Sequence, residues 1–390
     1  MENNLESNRS KRLIVGIDAS RNRSGGARAH LIGILSEVDP EKHGIAVIHV
    51  WAFRSLLDQL PDKPFLVKHN PFALERSLIR QIFWQAINLE TEAKDVGCDI
   101  LFTTDASTFC RFKPMVVLSQ DMLSYEPGVL KHYFFGRAWL RLVAILLLQN
   151  HAFRRSTGVI FLTRYAGEII QRSCGSLKRI TYIPHGIDSA FKEIKLINRW
   201  PERGERPVQC VYVSNADMYK HQWVVIEALA LLRDRGYQVE LKLIGGGEGR
   251  GQALIQDALN KYDPDGVVIE QLPFIKHELL PEMLAQADIF VFASSCENMP
   301  ISLIEAMAVG LPIACSDRGP MPEVLGDAGN YFNPEDSVSI ARAIEEMILF
   351  PEVRSACSRH AKALSQEYSW RRCSSETFAF ISKVYYTARS

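Results

Sequence analysis

The stretch Ile289–Glu323, IFVFASSCENMPISLIEAMAVGLPIACSDRGPMPE, carries the densest pattern in this chain. It opens on an uninterrupted apolar run, passes through a polar loop at residues 297–300 and continues as an apolar segment of helical length. A second short apolar run, Pro312–Cys315, follows. Continuously apolar strands are typical of parallel sheets that helices cover on both faces. The stretch therefore predicts a strand, a loop, a helix that begins near Ile301, and a further strand.

The same alternation of strand and helix extends along the whole chain. Helices are predicted, among others, at Gln222–Arg235, Glu278–Gln286 and Ser337–Leu349. The predicted strands are Leu13–Asp18, Ile45–Val50, Asp99–Thr104, Met115–Ser119, Gly158–Thr163, Ile180–Ile183, Gln209–Ser214, Val239–Gly245, Val267–Gln271, Ile289–Ser294 and Pro312–Cys315. Such alternation indicates an α/β fold of doubly wound parallel sheets, and it runs twice.

The two runs predict two Rossmann-like domains that face a cleft. Between them, Ser189–Pro207 is polar, charged and turn-rich, as expected of an interdomain linker. We therefore expect an N-terminal domain over residues 1–188, a linker over residues 189–207 and a C-terminal domain over residues 208–370.

The composition is that of a globular protein. The 390 residues are 47% apolar and 23% charged, which excludes collagen-like, disordered and small disulfide-stapled classes. No stretch reaches the roughly 18 apolar residues of a membrane-spanning helix, and residues 1–12 lack the apolar core of a secretory signal. The eight cysteines are scattered without a C-x-x-C pair, so no zinc ribbon is predicted. We expect reduced thiols and a cytoplasmic location.

Charge is unevenly distributed along the chain. Residues 1–190 hold 24 basic and 18 acidic residues, whereas residues 191–390 hold 21 and 27. A cationic half favours an anionic partner, although chance and solvated faces give the same count. Within that half, Tyr133–Arg155 combines aromatic residues, a seven-residue apolar run and four arginines. It fits a helix resting on a membrane interface or an ordinary core helix, and we favour the core helix.

The predicted helix start at Ile301 is a candidate anion site. Proline fits the beginning of a helix, and the unpaired N–H groups with their partial positive charge bind phosphate there. The start follows a strand, and open α/β sheets bind ligands at the carboxyl ends of their strands. Glu297 and Glu305 are expected to divide between the loop and the second helical turn, with Glu297 projecting into the cleft.

In their order, these motifs resemble the retaining, family 4 glycosyltransferases, which are two-domain GT-B enzymes with nucleotide-sugar donors. The resemblance includes Glu297 to Glu305, Ala306-Met307-Ala308, Gly310, Pro312 and Glu323. It extends to YIPHGID at Tyr182–Asp188, Lys220 within YKHQWVVIEALA at Tyr219–Ala230, LIGGGEG at Leu243–Gly249, and Ser369-Trp370. It implies that a final helix over residues 371–390 returns to the first domain.

The resemblance implies roles for individual residues. Glu297 would bind hydroxyls of the donor sugar, and Glu305 would bind the ribose of the nucleotide. Lys220 would neutralise the leaving diphosphate, since a fixed cation stabilises the charge that develops there. The remaining implied donor-binding positions in the second half, from the diphosphate cradle to the base, are Asn215, Phe274, Asn298, Met299, Pro300, Ile301, Ser302 and Leu303.

The first half contributes a glycine loop and a strand end. Gly25 and Gly26 follow the opening strand, where glycine lets the backbone approach a phosphate closely. Gln120 and Asp121 stand where the family often carries a histidine near the sugar, and Gln120 is not a strong base. Arg28 lies close behind the glycine loop in sequence.

Two further positions depart from the family pattern. Asn215 takes the place of an arginine, so Lys220 would hold the diphosphate with less help unless Arg318 or Arg28 assists. Met299-Pro300 replaces the common Phe-Gly, which leaves the identity of the donor sugar open.

We therefore expect retaining transfer of a hexosyl unit from a UDP- or GDP-sugar to a saccharide or lipid-linked saccharide, in cell-surface polysaccharide synthesis. No cofactor and no metal are expected to be required, because the helix dipole and Lys220 supply positive charge. No nucleic-acid partner is expected. A peripheral contact with the inner face of the cytoplasmic membrane follows if the segment at residues 133–155 rests on the membrane.

Two main alternatives stay open at this point. A glycoside hydrolase would use Glu297 and Glu305 as acid and base. A catalytically silent nucleotide-sugar-binding protein would explain Asn215 and Gln120. A GT-B epimerase would need a base that the sequence does not reveal.

Overall fold

The computed structural model describes residues 12–23, 25–129, 136–202 and 204–389. Its contacts divide the chain into two compact units. The first unit comprises residues 1–186 together with residues 369–390, and the second comprises residues 187–368. Each unit is built around one parallel β-sheet.

The first unit contains a seven-stranded sheet. Its strands are β1 (Leu13–Asp18), β2 (Ile45–Trp51), β3 (Leu66–His69), β4 (Ile100–Thr103), β5 (Met115–Leu118), β6 (Gly158–Phe161) and β7 (Ile180–Tyr182). They lie in the order β3-β2-β1-β4-β5-β6-β7, and every adjacent pair is parallel. Strands β4, β5 and β6 are buried at every residue. Their uninterrupted apolar sequences follow from this burial on both faces.

The helices of the first unit connect these strands. They are α1 (Gly25–Glu37), α2 (Arg54–Leu57), α3 (Leu78–Asp95), α4 (Arg137–Arg155) and α5 (Arg164–Cys174). Helix α5 shows how a sequence signal fixes a boundary, because the Thr163 side chain accepts a hydrogen bond from the Ala166 N–H and caps its first turn.

The second unit contains a six-stranded sheet. Its strands are β8 (Val208–Val213), β9 (Val239–Ile244), β10 (Ile269–Leu272), β11 (Ile289–Phe292), β12 (Ile313–Ser316) and β13 (Asn330–Phe332). They lie in the order β10-β9-β8-β11-β12-β13, again with parallel neighbours. The chain reverses its direction across the sheet between β8 and β11, which is where such sheets place their ligands.

The helices of the second unit begin with a short one inside the expected linker. They are α6 (Ser189–Glu193), α7 (Gln222–Asp234), α8 (Arg250–Tyr262), α9 (Leu280–Ala285), α10 (Ile301–Val309), α11 (Met321–Leu325), α12 (Ser337–Leu349) and α13 (Pro351–Ser365). Helix α10 is buried from Leu303 to Val309 and packs against α6, α9 and α13. It is the central helix of this unit.

The last helix, α14 (Trp370–Arg389), belongs to the first unit and packs along α1. Its indole at Trp370 occupies the space over Gly33, where an added Cβ would lie 2.2 Å from the ring. Its backbone lies equally close to Gly186, whose Cβ would come within 2.2 Å of the Trp370 nitrogen. Glycine is required at both positions because α1 and the chain before α6 approach α14 too closely for any side chain.

The doubly wound parallel sheets predicted from the sequence are confirmed, with two strands added. Strands β3 and β13 escaped prediction, because each lies at a sheet edge, is short and carries polar residues. Residues 189–207 were expected to form a linker. Their contacts instead lie within the second unit, because Phe191 is buried there and Arg206 binds both carboxylate oxygens of Asp288.

Candidate active site

The start of α10 is an open helix N-terminus at the carboxyl end of β11. The helix begins at Ile301, as the sequence predicts. Pro300 precedes it with an extended backbone, and its ring offers no acceptor for the first N–H groups. Those of Ile301, Ser302 and Leu303 have no acceptor inside the helix. Ile301 and Ser302 are only half-buried, so an anion has access to this positively polarised end.

Lys220 and Glu297 form an ion pair beside this helix start. Lys220 ends a short turn of 3₁₀-helix, Met218–Lys220, and Glu297 lies in the loop that precedes α10. The Lys220 Nζ binds Glu297 Oε1, and the two side chains are 9% and 14% exposed. The ammonium group also lies 5.0 Å from the centre of the Tyr219 ring. Removing one partner of an ion pair this sheltered from water is unfavourable, because the other charge stays buried without a counter-charge.

Three hydrogen bonds fix the loop that carries Lys220. The Tyr212 hydroxyl donates to the Lys220 carbonyl at 2.8 Å, and the Ser295 N–H donates to the Tyr219 carbonyl at 2.8 Å. The His221 Nε2 lies 2.8 Å from the Ser295 hydroxyl. His221 itself has φ of +47°, a left-handed conformation that is strained for a residue with a side chain. The loop is therefore held against β11 by contacts that offset this strain.

The glycine-rich segment after β9 supports the same loop. At Gly245, an added Cβ would lie 2.4 Å from the Ser214 carbonyl oxygen. At Gly251, it would lie 2.2 Å from the Ala216 carbonyl oxygen. These glycines allow the backbones of the two loops to touch, so their role here is to seat the chain that leads to Lys220.

Glu305 lies in the second turn of α10, and its partner is His277. Glu305 is buried, and its Oε1 lies 2.7 Å from the Nε2 of His277, whose side chain is half exposed. Burial raises the pKa of Glu305, against the lowering effect of His277. The hydrogen bond to Glu305 raises the pKa of His277, with Asp188 and Glu278 adding to the increase. The two glutamates divide between the loop and the second helical turn, as the sequence predicts.

The remaining predicted donor-binding residues of the second unit differ in their exposure and in their partners. Asn298 and Met299 are buried. Phe274, which follows β10, is 87% exposed and offers a bare aromatic face. Asn215 is exposed, and its amide binds the carboxylate of Asp217. Arg318 is paired with Asp317 at 3.1 Å and follows β12.

The predicted residues of the first unit lie at the carboxyl ends of β1 and β5. Gly25 has φ of +61° and begins α1 with Gly26. Arg28 donates to the carbonyls of Arg23 and Ser55, at 3.2 and 3.0 Å. Ser24, which precedes these glycines in the sequence, lies outside the described residues.

Gln120 and Asp121 follow β5 in the first unit. The Gln120 Nε2 is buried and has no hydrogen-bond partner among the residues that the structure describes. Asp121 accepts a hydrogen bond from the Leu123 N–H at 3.0 Å, and burial raises its pKa. The buried Gln120 amide therefore has spare hydrogen-bonding capacity.

Comparison with known proteins gives a family match for most of the second unit. Residues 195–364, which hold Lys220, His277, Glu297 and Glu305, match the family Glycosyl transferases group 1. This chain carries a group 1 glycosyltransferase domain. That match confirms the predicted glycosyltransferase class, while the retaining mechanism stays a prediction.

Relatives of this glycosyltransferase match it over different lengths. The O-antigen chain mannosyltransferase B of Escherichia coli is 32% identical over 109 residues, which are 28% of this chain and 29% of the relative. The putative colanic acid biosynthesis glycosyltransferase WcaL of Escherichia coli is 24% identical over 76% of this chain and 75% of its own length. The first of these matches therefore spans less than a third of the relative.

Solved structures confirm the GT-B fold. Sucrose-phosphate synthase from Thermosynechococcus elongatus superposes with a TM-score of 0.74 over 97% of this chain and 100% of that structure, at 16% identity. The Anabaena protein HepE, in complex with UDP and glucose, gives 0.67 over 97% and 99%, at 19% identity.

His277 is the site residue of this glycosyltransferase that sequence reasoning missed. It lies 28 positions before Glu305, in a loop of varied polarity, and no spacing rule connects the two. Only the fold, which brings the loop after β10 beside the second turn of α10, makes them neighbours. Among the described residues, no group of three His, Cys, Asp or Glu side chains is arranged to hold a metal ion.

Proposed function

We propose that this chain is a retaining hexosyltransferase that uses a nucleotide-diphosphate sugar. The observation that carries the proposal is the open start of α10, with the Lys220–Glu297 pair beside it and Glu305 one turn further on. A dianionic diphosphate needs backbone donors and a fixed cation, and a ribose needs an acceptor for its two hydroxyls. The helix start and Lys220 supply the donors and the cation for the diphosphate, and Glu305 supplies the acceptor for the ribose, all within one unit.

Lys220 is the proposed electrostatic catalyst. Negative charge develops on the departing diphosphate, and an ammonium group fixed at that point stabilises the transition state. Glu297 holds that ammonium group through the ion pair. When the donor binds, Glu297 turns to hydroxyls of the sugar, and the diphosphate becomes the partner of Lys220. The exchange avoids leaving a buried lysine unpaired at any stage.

The nucleotide half of the donor is assigned to the residues around Glu305. Its carboxylate accepts hydrogen bonds from the ribose, while the exposed ring of Phe274 stacks on the base. The N–H groups at residues 301–303 bind the diphosphate. The donor is proposed to be a UDP- or GDP-sugar, in keeping with the UDP that HepE binds.

The acceptor is proposed to be a saccharide or a lipid-linked saccharide of a cell-surface polysaccharide. The relatives named for O-antigen and colanic acid synthesis support this class. Gln120, Asp121, Arg28 and the loop at Gly25-Gly26 are proposed to serve the acceptor and the sugar from the first unit. No step requires a metal or a cofactor, because positioning and fixed positive charge supply the catalysis. The location is proposed to be cytoplasmic.

The geometry reduces the case for a glycoside hydrolase. In that mechanism one glutamate acts as a free proton donor, but Glu297 is engaged by Lys220 and Glu305 by His277. The catalytically silent binding protein keeps one supporting observation, the replacement of the family arginine by Asn215. It predicts nucleotide binding without turnover.

A thermal-shift panel with UDP, GDP and ADP tests the donor site, since a ligand that binds the native state raises its melting temperature. We expect either UDP or GDP to raise the melting temperature, and Glu305→Gln to reduce the increase. An unchanged melting temperature with all three nucleotides would refute the proposal. Retention is tested separately by the anomeric configuration of the product in NMR spectra, where an inverted product would contradict it.

A further inference from the structure

Helix α3 in the first unit exposes large apolar side chains while it buries polar ones. Its buried residues are Gln81, Trp84, Gln85, Leu89 and Ala93. Its solvent face carries large apolar side chains, among them Ile79 at 77% and Phe83 at 62% exposure. The full exposed set on this helix is Leu78, Ile79, Phe83 and Ile87. Three of them recur every four residues and therefore share one side of the helix.

The buried glutamines fix this orientation. The Gln81 Nε2 donates to the carbonyls of Leu74 and Arg76, at 2.9 and 2.6 Å. The Gln85 Nε2 donates to Asp18 Oδ2 at 2.7 Å. Turning α3 to bury Ile79 and Phe83 would leave these polar groups unpaired, and a buried polar group without a partner destabilises the fold. The outward apolar side is thus a stable property of the fold.

Helix α4 likewise combines buried polar side chains with exposed apolar ones. Its buried residues are Leu142, Gln149, Asn150, Ala152 and Phe153, while Leu140 and Leu147 are more than 60% exposed. The Gln149 Nε2 donates to the Ser107 hydroxyl at 3.1 Å, and Asn150 Oδ1 accepts from the Tyr125 hydroxyl at 3.0 Å. The described part of the segment at residues 133–155, from Arg137, therefore packs one side into the core, as the sequence favours, and leaves two leucines exposed. Residues 133–135 lie outside the described residues.

Helices α3 and α4 lie on the same side of the sheet. The connections from β3 to β4 and from β5 to β6 run in the same direction across it, so right-handed crossovers place α3 and α4 on one face. The loop after β4 is bonded to both helices, through Phe109 N–H to Gln85 Oε1 at 3.3 Å and through Ser107 to Gln149. Part-exposed Phe109 lies in this loop. We call this set the apolar face: Leu78, Ile79, Phe83, Ile87, Phe109, Leu140 and Leu147.

Arginines outnumber acidic residues around the apolar face. Arg76, Arg80, Arg137 and Arg141 are exposed at the beginnings of the two helices. The sequence holds no acidic residue over positions 77–89 or 127–167. The flanking Glu75 accepts from the Arg54 N–H and the Asn70 amide, and Glu90 is paired with Lys94. Exposed apolar side chains bordered by arginines are complementary to a bilayer surface with anionic headgroups.

We propose that the apolar face docks on the surface of a bilayer that contains anionic lipids. Its apolar side chains enter the boundary between headgroups and acyl chains, and its arginines bind the headgroup phosphates. The inference rests on the proposed function in one respect, since a lipid-linked acceptor is presented at such a surface. Docking itself depends on no residue of the donor site.

Vesicle sedimentation of the full chain tests the proposal, with phosphatidylcholine vesicles prepared with and without phosphatidylglycerol. We expect the chain to sediment with the anionic vesicles and to be released by salt, because headgroup attraction is screened. The double variant Ile79→Ser/Phe83→Ser should lower the partition coefficient about tenfold or more, since two inserted side chains are lost. Arg80→Gln/Arg141→Gln should lower it only for anionic vesicles.

A matched control removes exposed apolar side chains from the second unit. Val267→Ser/Leu349→Ser deletes residues of similar exposure, and it should leave vesicle binding unchanged. Equal losses in both double variants, or no sedimentation of the unmodified chain, would overturn the proposal. So would a dimer in analytical ultracentrifugation that Ile79→Ser/Phe83→Ser dissociates, because the apolar face would then bind a second copy.

The vesicle experiment needs no nucleotide and no acceptor. A chain that binds vesicles but no nucleotide would refute the proposed transferase and leave docking intact. A chain that binds UDP or GDP but no vesicle would refute docking and leave the proposed transferase intact.

Discussion

At the residue scale, the Lys220–Glu297 pair offers the most direct test of catalysis. Lys220→Ala removes the cation that stabilises the leaving group, so turnover should fall about 100-fold or more. Glu297→Gln should lower turnover as well, because its amide cannot replace a carboxylate toward sugar hydroxyls. The measurement is the rate of nucleotide release with donor and acceptor at saturation. Lys261→Ala, in the same unit and far more exposed, is the control and should keep full activity.

His277 gives a second prediction at this scale, and it concerns pH. Its pKa is raised in the folded chain by Glu305, Asp188 and Glu278. The stabilisation from the His277–Glu305 pair is therefore complete below the unfolded histidine pKa of about 6.5, and it is lost as the pH rises through the higher folded value. The difference in melting temperature between the native chain and His277→Ala should shrink across that interval. Differential scanning fluorimetry over a pH series measures it.

The control for His277 is another histidine of the second unit. His360 is 3.8 Å from Asp327, and both side chains are largely exposed. His360→Ala should leave the pH dependence of the melting temperature unchanged. If the difference in melting temperature between the native chain and His277→Ala did not depend on pH, the assigned His277–Glu305 pair would be contradicted.

At the scale of elements, the contact between α1 and α14 depends on a missing side chain. Gly33→Ala would place a methyl group 2.2 Å from the Trp370 ring, so the two helices must separate. Such overpacking costs about 1–3 kcal/mol, and the midpoint of urea unfolding should fall accordingly. Gly246→Ala is the control, because no atom lies within 4 Å of its added Cβ. If Gly33→Ala were as stable as the native chain, Trp370 would have to be able to move aside, and the required contact would be contradicted.

Elements with continuous apolar sequence could be predicted, and elements at edges could not. Leu13–Asp18 and Ser337–Leu349 occur with the predicted bounds, since burial on both faces or a capped amphipathic pattern leaves a clear signal. Strand β3 reads LVKH, with polar residues that a sheet edge tolerates. The exposed apolar stripe of α3 was missed because such a stripe is normally taken to face the core.

For the candidate site, the sequence predicted the helix start and both glutamates but not their partners. Ile301 begins a helix because Pro300 and the preceding loop are local signals. The partners Lys220 and His277 lie 77 and 28 positions from the glutamates they bind. Lys220 was found only through a family resemblance, and His277 was not found at all. Contacts of that separation are set by the strand order of the sheet, which local patterns do not encode.

At the scale of the whole molecule, the eight cysteines are all free. Seven are buried and Cys98 is half-buried. Burial raises the pKa of Cys98 and Cys110 to about 12, which keeps both as unreactive thiols. We expect the native chain to react slowly with a thiol reagent and all eight sites to react in denaturant. Absorbance of the released reporter measures both stages, and a fast phase of several thiols would contradict the described burial.

The placement of α14 in the first unit has a consequence for biosynthesis. Residues 369–390 complete a body whose other 186 residues have long since left the ribosome. The second unit, contiguous in sequence, can finish folding as soon as residue 368 emerges. During translation, the surface of α1 that Trp370 covers stays open to chaperones and proteases until residues 369–390 have been synthesised. A stop codon at residue 369 would therefore damage the first unit, far from the lesion in the gene.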